Sequence, residues 1–390
     1  MIAIRAGTLF DGTGKDIVEN ATILVEKGRI KEIKRSGKTP FSADMEVIDL
    51  SRDFVLPGLI DCHSHASLIP SKGNQGAQML EPREVQILRA ASNIRKDLKS
   101  GVTTMMIMGE ENFIDVVVRN SIQQGVIPGP HLFIATRGIF TTHGRGAVQP
   151  ITIADSPDEM RKVVRQNLAA GADFIKLFVT GGVGDPYYNP YSYEEIKTAV
   201  DETHRVGKMA TAHAHGGQGL RYCLEAGMDS IIHGARLSDE DIELFIKLGR
   251  WLVGTQTIYL HEEGLEIDFR GSEETRRYLD NARKIVREGL TKAIKAGVKY
   301  VVGTDSVHGR ISDELKYLTE CGVSNREAIL TATKKAAEFA GILDKTGTIE
   351  PGKVADLIAV SGNPLNGIEC LSKVVFVMKE GKRYDTLSAL

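Results

Sequence analysis

The chain has 390 residues with 49 Lys or Arg and 51 Asp or Glu, so its formal net charge is only −2. This balance, with both signs dispersed, indicates neither a nucleic-acid partner nor a membrane surface. Residues 1–9 lack the layout of a signal peptide, and no apolar run approaches the roughly 18 residues of a membrane span. The four cysteines show no CxxC spacing, so we expect a cytoplasmic protein with reduced thiols.

The first informative segment is an apolar run that ends in His63 and His65. Residues at i and i+2 of a strand project to the same side, so both imidazoles can bind one metal ion. Cys62 lies between them and is predicted to point away from that ion.

Lys176 stands in the otherwise apolar run 174–179, which is predicted to be a strand with two buried faces. Burial of an unpaired ammonium costs several kcal/mol or more, so such a lysine tends to be neutral and nucleophilic at pH 7. One stable product of that amine is a carbamate formed with carbon dioxide, whose two oxygens can bridge two metal ions. Taken alone, the residue is more typical of a lysine paired with a buried carboxylate.

Three later apolar runs also end in residue types that commonly bind metals. These residues are His213 with His215, His233, and Asp305. Each has an equally simple alternative, since a strand-end histidine often hydrogen-bonds a loop and a strand-end aspartate often caps a helix. Together they are harder to dismiss, because every candidate lies near the carboxyl end of a predicted strand.

The predicted strands lie near residues 55–65, 103–109, 131–139, 174–181, 208–214, 230–233, 251–257 and 299–305. Helical periodicity covers residues 85–98, 113–123, 158–169, 193–204, 219–225, 239–247, 273–295, 311–321 and 325–339. This alternation predicts an α/β fold, a (β/α)₈ TIM barrel, whose active site lies at the carboxyl ends of the strands.

The order HxH, Lys, His, His, Asp along such a barrel resembles the amidohydrolase superfamily in its two-metal form with a carboxylated lysine. More narrowly, residues 212–216 and 229–234 resemble the subgroup of imidazolonepropionase-like proteins, ochratoxinase and prolidases that cleave Xaa-Pro or Xaa-Arg dipeptides. Residues 6–12, 23–30 and 347–358 look like parts of that family's small β-sandwich. The resemblance therefore implies a composite sandwich domain, residues 1–57 and 347–390, and a hydrolase barrel, residues 58–346.

The resemblance also implies a centre of two divalent metal ions, with zinc as the expected metal and carbon dioxide present as the carbamate on Lys176. Its implied ligands are His63 and His65 for one ion, His213 and His233 for the other, carboxylated Lys176 and a hydroxide between them, and Asp305 on the first ion. Asp305 is the expected proton carrier. His213 and His215 share a strand face, so the residues alone do not choose between them; only the resemblance selects His213.

His143 resembles the histidine with which the subgroup contacts the substrate carbonyl oxygen, and it is our second catalytic candidate. A local hydrogen bond in its loop is the alternative interpretation. Further candidates for substrate contact are His215, Tyr187, Tyr188 and His261.

These implications predict a metal-dependent amidohydrolase in which a metal-bridging hydroxide attacks the amide bond of a dipeptide or N-acyl amino acid. Alternatives on the same fold are a mononuclear aminohydrolase, such as a deaminase or a cyclic amidase like imidazolonepropionase, and a lactone or phosphotriester hydrolase. A scaffold without metal is a third, although such proteins lose ligands and this chain retains them all. Expected partners are a small-molecule substrate and further copies of the chain in a homo-oligomer, with no nucleic acid and no membrane.

Overall fold

The computed structural model describes residues 1–35, 45–142, 144, 152–185, 187–265 and 272–384. The chain forms two compact units. The first unit comprises Met1–Asp61, Ile94–Met105 and Gly309–Leu390, and the second comprises Cys62–Asn93 and Met106–His308. The domain boundaries expected from the sequence, after residues 57 and 346, divide the chain differently and remain a prediction.

The strands, in chain order, are β1 Ile2–Leu9, β2 Val18–Glu26, β3 Arg29–Lys34, β4 Glu46–Pro57, β5 Leu59–Ser64, β6 Val102–Ile107, β7 His131–Ile134, β8 Ile139–Phe140, β9 Thr152–Ile153, β10 Phe174–Phe178, β11 Met209–Ala214, β12 Ser230–His233, β13 Trp251–Gly254, β14 Lys299–Val302, β15 Leu357–Val360, β16 Val374–Lys379 and β17 Lys382–Arg383. The α-helices are α1 Gln75–Met79, α2 Arg83–Lys99, α3 Ile114–Gln123, α4 Pro157–Ala169, α5 Tyr193–His204, α6 Gly217–Ala226, α7 Asp239–Leu248, α8 Thr257–Leu260, α9 Glu273–Ala296, α10 Ile311–Glu320, α11 Asn325–Thr331 and α12 Lys334–Phe339.

The protein is a (β/α)₈ TIM barrel with a small β-sandwich built from both ends of the chain. The barrel strands are β5, β6, β7 and β10 to β14, and the pairs from β10 through β14 are parallel. Backbone hydrogen bonds close the ring: Asp173 N–H donates to Ile134 C=O (2.8 Å), and Asp305 N–H donates to His63 C=O (2.9 Å). The carboxyl ends of the strands therefore share one rim.

The sandwich is a sheet in the order β17-β16-β15-β4-β1-β2-β3. It bends so that Ile30 N–H, in β3, donates to Lys353 C=O (2.9 Å) just before β15. Ile4, Ile23 and Phe376 are buried in its core. Burial of these apolar side chains stabilises each by roughly 1.5–3 kcal/mol relative to exposure.

Serine side chains and glycines define several helix ends in the second unit. Ser192 and Ser238 form capping boxes at the starts of α5 and α7. Gly227 and Gly297 end α6 and α9 in the left-handed conformation that suits glycine. Among the described residues, no helix combines the length and apolar character that crossing a bilayer requires.

Two sequence predictions need correction. The predicted helix 325–339 is two helices, because Ala332 C=O accepts a hydrogen bond from Ile60 N–H of β5 (2.7 Å) and the Thr333 hydroxyl donates back to Ile329 C=O (2.8 Å). The predicted strand 55–65 is the end of β4 and all of β5. They separate at Gly58, where a Cβ would lie 2.2 Å from Thr103 Oγ1.

We expect Gly303→Ala to disrupt the closure of the barrel. A Cβ at Gly303 would lie 2.4 Å from His63 N, a backbone atom that cannot rotate away. The free energy of unfolding should fall by about 3 kcal/mol, the upper end for overpacking, as measured by urea denaturation. Gly182→Ala is the matched control, because its Cβ would meet nothing within 4 Å and should cost under about 0.5 kcal/mol. Equal stability of the two variants would contradict this account.

Candidate metal centre

The side chains proposed as metal ligands all belong to the second unit. His63 and His65 lie at the end of β5, Lys176 lies in β10, and Asp305 follows β14. His213 and His233 lie at the ends of β11 and β12. The shared rim of a parallel barrel is what brings residues so distant in sequence together.

Asp305 is the point on which the two β5 histidines converge. Its Oδ1 lies 3.1 Å from His63 Nε2 and 4.0 Å from His65 Nε2. One ligand atom each of His63, His233 and Asp305 lies within 4.8 Å of the others. Imidazole nitrogens and a carboxylate oxygen at this spacing suit a divalent ion such as Zn²⁺.

The histidines of β11 and β12 form a second group beside the first. The ring centroids of His213 and His233 are 4.5 Å apart, and His215 stacks on His233 at 5.0 Å and 17°. His213 and His215 are both buried, but of the two only His213 is among the described residues that line the cavity beside the centre. This placement favours His213 over His215 as the β11 residue that faces an ion.

Hydrogen bonds to the far ring nitrogens orient the histidines. His65 Nδ1 lies 2.8 Å from Gly109 C=O and His233 Nδ1 lies 2.7 Å from Thr255 Oγ1. A donor at Nδ1 leaves the lone pair on Nε2 for a metal. For His213 the arrangement is reversed, since Nε2 lies 3.2 Å from Gly181 C=O and the lone pair then falls on Nδ1.

Lys176 is completely buried, as its apolar surroundings in the sequence predict. Its neighbours along β10, Ile175 and Leu177, are also fully buried. The amine Nζ lies 4.5 Å from the centroid of the Phe178 ring. A long cationic side chain in this position requires compensation, and a bound anion, a carbamate or a neutral amine would each supply it.

The ionisation states match those that a cation requires. Burial lowers the pKa of His63, His65 and His233, that of His65 to about 3. Burial by itself raises the pKa of Asp305, but the neighbouring imidazoles, led by His63, bring it below its usual range. Neutral imidazoles and an ionised carboxylate at pH 7 are ready to bind a metal without losing protons, so the donor set fits a divalent ion.

Backbone strain is concentrated at the same residues. His233, Asp305 and Ser306 have φ values of 75°, 50° and 74°. Residues other than glycine rarely adopt this left-handed backbone conformation, and such strain clusters at functional sites. Ser306 also accepts a hydrogen bond from His65 N–H through its Oγ (3.1 Å), which ties the strained turn to a candidate ligand.

The sequence model of the Amidohydrolase family matches residues 54–387. The chain belongs to this family. It is 28% identical to ochratoxinase of Aspergillus niger over 98% of its own length and 86% of that protein. A Xaa-Pro dipeptidase, solved with methionine bound in its active site, is 30% identical, with a TM-score of 0.88 over 98% of this chain and 99% of that one. A prolidase complexed with N-methylphosphonate-L-proline is 25% identical, with a TM-score of 0.87 over 98% of this chain and 99% of that one.

The protein is thus a metal-dependent hydrolase acting on carbon–nitrogen bonds of a small-molecule substrate.

The residues of the candidate centre line a cavity that opens to solvent. Apolar and aromatic side chains form part of its walls, namely Leu68, Met79, Phe140, Phe178, Ile258, Tyr259 and Leu265. Phe140 stacks on Phe178 at 4.1 Å. Two acids, Glu110 and Glu111, also line it. Such walls offer contacts to both apolar and polar parts of a substrate.

Neither glutamate is among the site residues predicted from the sequence. They follow the predicted strand 103–109 directly, so the rule that active-site residues lie at the carboxyl ends of barrel strands could have identified them. Burial raises the pKa of Glu110, and that of Glu111 to about 7.

The other predicted contacts remain predictions. Tyr187 and Tyr188 are 69% and 39% exposed and are not among the described residues that line the cavity. His261 Nδ1 accepts a local hydrogen bond from Glu263 N–H (3.1 Å). His143 lies outside the described residues.

We expect His65→Asn to weaken the pH dependence of stability in the protein freed of metal. The pKa of His65 is about 3 in the folded chain, against 6.5 for an ordinary histidine. Between these values the unfolded chain binds the extra proton, so stability falls as pH decreases. Asparagine can still donate to Gly109 but cannot titrate. From pH 7.5 to 5.5 the wild type should lose about 1.4 kcal/mol more than the variant in urea unfolding with a chelator. Equal losses would contradict a buried, neutral His65.

Proposed function

We propose that this enzyme binds two divalent metal ions, zinc being the preferred metal, and hydrolyses the amide bond of a dipeptide or an N-acyl amino acid. The observation that carries the proposal is the convergence of His63 and His65 on Asp305, with His233 beside them and Lys176 fully buried nearby. Similarity to ochratoxinase and to a Xaa-Pro dipeptidase over 98% of the chain supports an amide substrate.

In the proposed centre, His63, His65 and Asp305 would hold one ion, His213 and His233 would hold the other, and carboxylated Lys176 would supply oxygen ligands to both. Ions bound there would polarise the amide carbonyl and lower the pKa of a shared water molecule. The neutral imidazoles contribute lone pairs without first losing protons. Gly109, Gly181 and Thr255 hold three of the rings in orientation.

Carboxylation of Lys176 explains why a lysine is tolerated in the barrel interior. The neutral amine adds to the carbon of carbon dioxide and releases one proton, which leaves an N-carboxylate with two oxygens. The charge at this position would then change from zero on the neutral amine to that of an anion beside two cations. Exclusion of bulk water by the surrounding side chains would protect the carbamate from hydrolysis.

Asp305 is the proposed proton carrier. Its side chain is 19% exposed, whereas that of His63 is 1% exposed. A water molecule or substrate in the cavity can therefore contact the carboxylate more readily than the imidazole. Asp305 stays ionised, because the imidazoles lower its pKa. It can therefore accept the proton of the attacking water and deliver it to the leaving nitrogen. His143 is proposed to contact the substrate carbonyl oxygen.

We further propose a cytoplasmic homo-oligomer. The balanced charge and the cysteines without CxxC spacing motivate the location, and the similarity to prolidase-like enzymes motivates a measurement of the assembly. Light scattering after size exclusion tests the second point, which a monomer at micromolar concentration would refute.

Metal analysis and substrate turnover test the proposal directly. We expect about two metal ions per chain, and turnover of dipeptides or N-acyl amino acids in a panel that also contains lactones and phosphotriesters. One ion per chain would favour a mononuclear aminohydrolase. A preference for a lactone or phosphotriester over every amide would reject the proposed substrate class and leave the metal centre intact.

We expect Asp305→Asn to retain nearly stoichiometric metal and to lose kcat by roughly 10²-fold or more, because the amide cannot accept a proton. Metal content by elemental analysis and kcat on the best substrate measure the two effects separately. Retention of most of kcat would show that another group carries the proton.

We expect Lys176→Ala to lose both metal ions, and short carboxylic acids such as acetate to restore part of the activity. The truncated side chain leaves a cavity in which an added carboxylate can act as the bridge. Lys176→Met is the matched control, since it keeps the volume but can neither be carboxylated nor admit acetate; it should lose metal without rescue. In the wild type grown with ¹³C-bicarbonate, a carbamate carbon signal should appear. A metallated, active Lys176→Ala protein would refute the bridge.

A further inference from the structure

We propose that Glu110 is a positioning residue that fixes the segment after His65, and with it the orientation of that metal ligand. The proposal rests on the metal centre of the proposed function. Glu110 is not one of the proposed metal ligands, and it acts through hydrogen bonds to Ser67.

Ser67 donates two hydrogen bonds to the carboxylate of Glu110. Ser67 N–H donates to Glu110 Oε1 (3.1 Å), and Ser67 Oγ–H donates to Glu110 Oε2 (2.5 Å). Ser67 is fully buried and Glu110 is 2% exposed. A doubly hydrogen-bonded carboxylate in such surroundings has little rotational freedom, so it fixes the backbone two residues after His65.

The same short stretch of chain also holds the His65 ring. Gly109 C=O, the residue before Glu110, accepts from His65 Nδ1 (2.8 Å). Glu110 N–H in turn donates to Thr136 C=O (2.7 Å). Residues 109 and 110 thus contact the ring of His65 and the backbone that leaves it, and they are anchored to the next strand connection. Movement of one contact would move the other.

Other buried side chains complete a cage around residues 66–69. Asn93 Nδ2 donates to Ala66 C=O (2.9 Å), and Arg89 Nε donates to Ser67 C=O. Gln78 accepts from Ile69 N–H (2.9 Å) and donates back to Ile69 C=O (3.0 Å). A loop whose backbone groups bond to buried side chains is ordered before any ion arrives. Among these side chains, Glu110 is the one that binds Ser67 through both of its oxygens.

A matched pair of glutamates separates positioning from general stability. Glu195 also accepts from the N–H (2.7 Å) and the Oγ–H (2.9 Å) of one serine, Ser192, here through Oε2 alone and at the start of α5. We expect Glu110→Ala and Glu195→Ala to lower thermal stability. Only Glu110→Ala should weaken metal binding, by roughly 10- to 100-fold at one of two sites in competition with a chelator. An equal loss of metal affinity in both variants would overturn the proposal.

Glu110→Gln supplies the conservative rescue. Its amide oxygen can accept from Ser67 N–H and its amide nitrogen can donate to Ser67 Oγ, so metal affinity should stay within about threefold of wild type. Ser67→Ala, a milder change, should weaken binding less than Glu110→Ala, and the double variant should be no weaker than Glu110→Ala alone. If Glu110→Gln binds metal as poorly as Glu110→Ala, the carboxylate acts through its charge and the positioning role is wrong.

The failure of this inference is distinguishable from the failure of the proposed function. If the wild type binds two ions tightly and Glu110→Ala binds them with unchanged affinity, this inference alone is refuted. A wild type that binds no ion would refute the proposed function as well.

Discussion

The hydrogen bond from Asp305 N–H to His63 C=O (2.9 Å) is the contact on which the centre depends. It joins the connection after the last barrel strand to the first strand, and it brings the Asp305 carboxylate to 3.1 Å from the His63 ring across 242 residues of sequence. Gly303 makes the approach possible, because any Cβ there would overlap His63. Closure of the barrel and assembly of the site are therefore one event.

Closure places imidazoles in a volume from which water is largely excluded, and this has an electrostatic consequence. Burial favours the neutral ring of His65 and of His233, while Asp305 retains its charge. The result is a group of imidazole lone pairs around the Asp305 carboxylate, with the amine of Lys176 beside them. Such a group attracts a cation more strongly than it attracts protons, which makes metal binding the natural compensation for its burial.

Periodicity and strand parity predicted most of the framework, because both follow from local sequence. The eight barrel strands and the rim positions of His63, His65 and Asp305 come from this source. The interruption of the helix at Ala332 could not be predicted from local sequence, because its cause is a hydrogen bond from Ile60, which is distant in sequence. Parity also could not distinguish His213 from His215, which share a face. The family resemblance selects His213, and of the two only His213 is among the described residues that line the cavity.

The contact between Glu110 and Ser67 illustrates the same limit at a functional site. Each residue lies just beyond a strand end, and nothing in either local pattern pairs them. Their contact exists because β5 and β6 are neighbours in the barrel, so that Met108 N–H donates to Ser64 C=O (2.9 Å) and the two strand ends leave side by side. Metal ligands can be recognised from residue type and spacing, since the chemistry of an ion restricts both. The groups that orient them are restricted only by geometry, so they become visible once neighbouring strands are known. Precision in the centre thus derives from connections between adjacent loops rather than from the ligand motif itself.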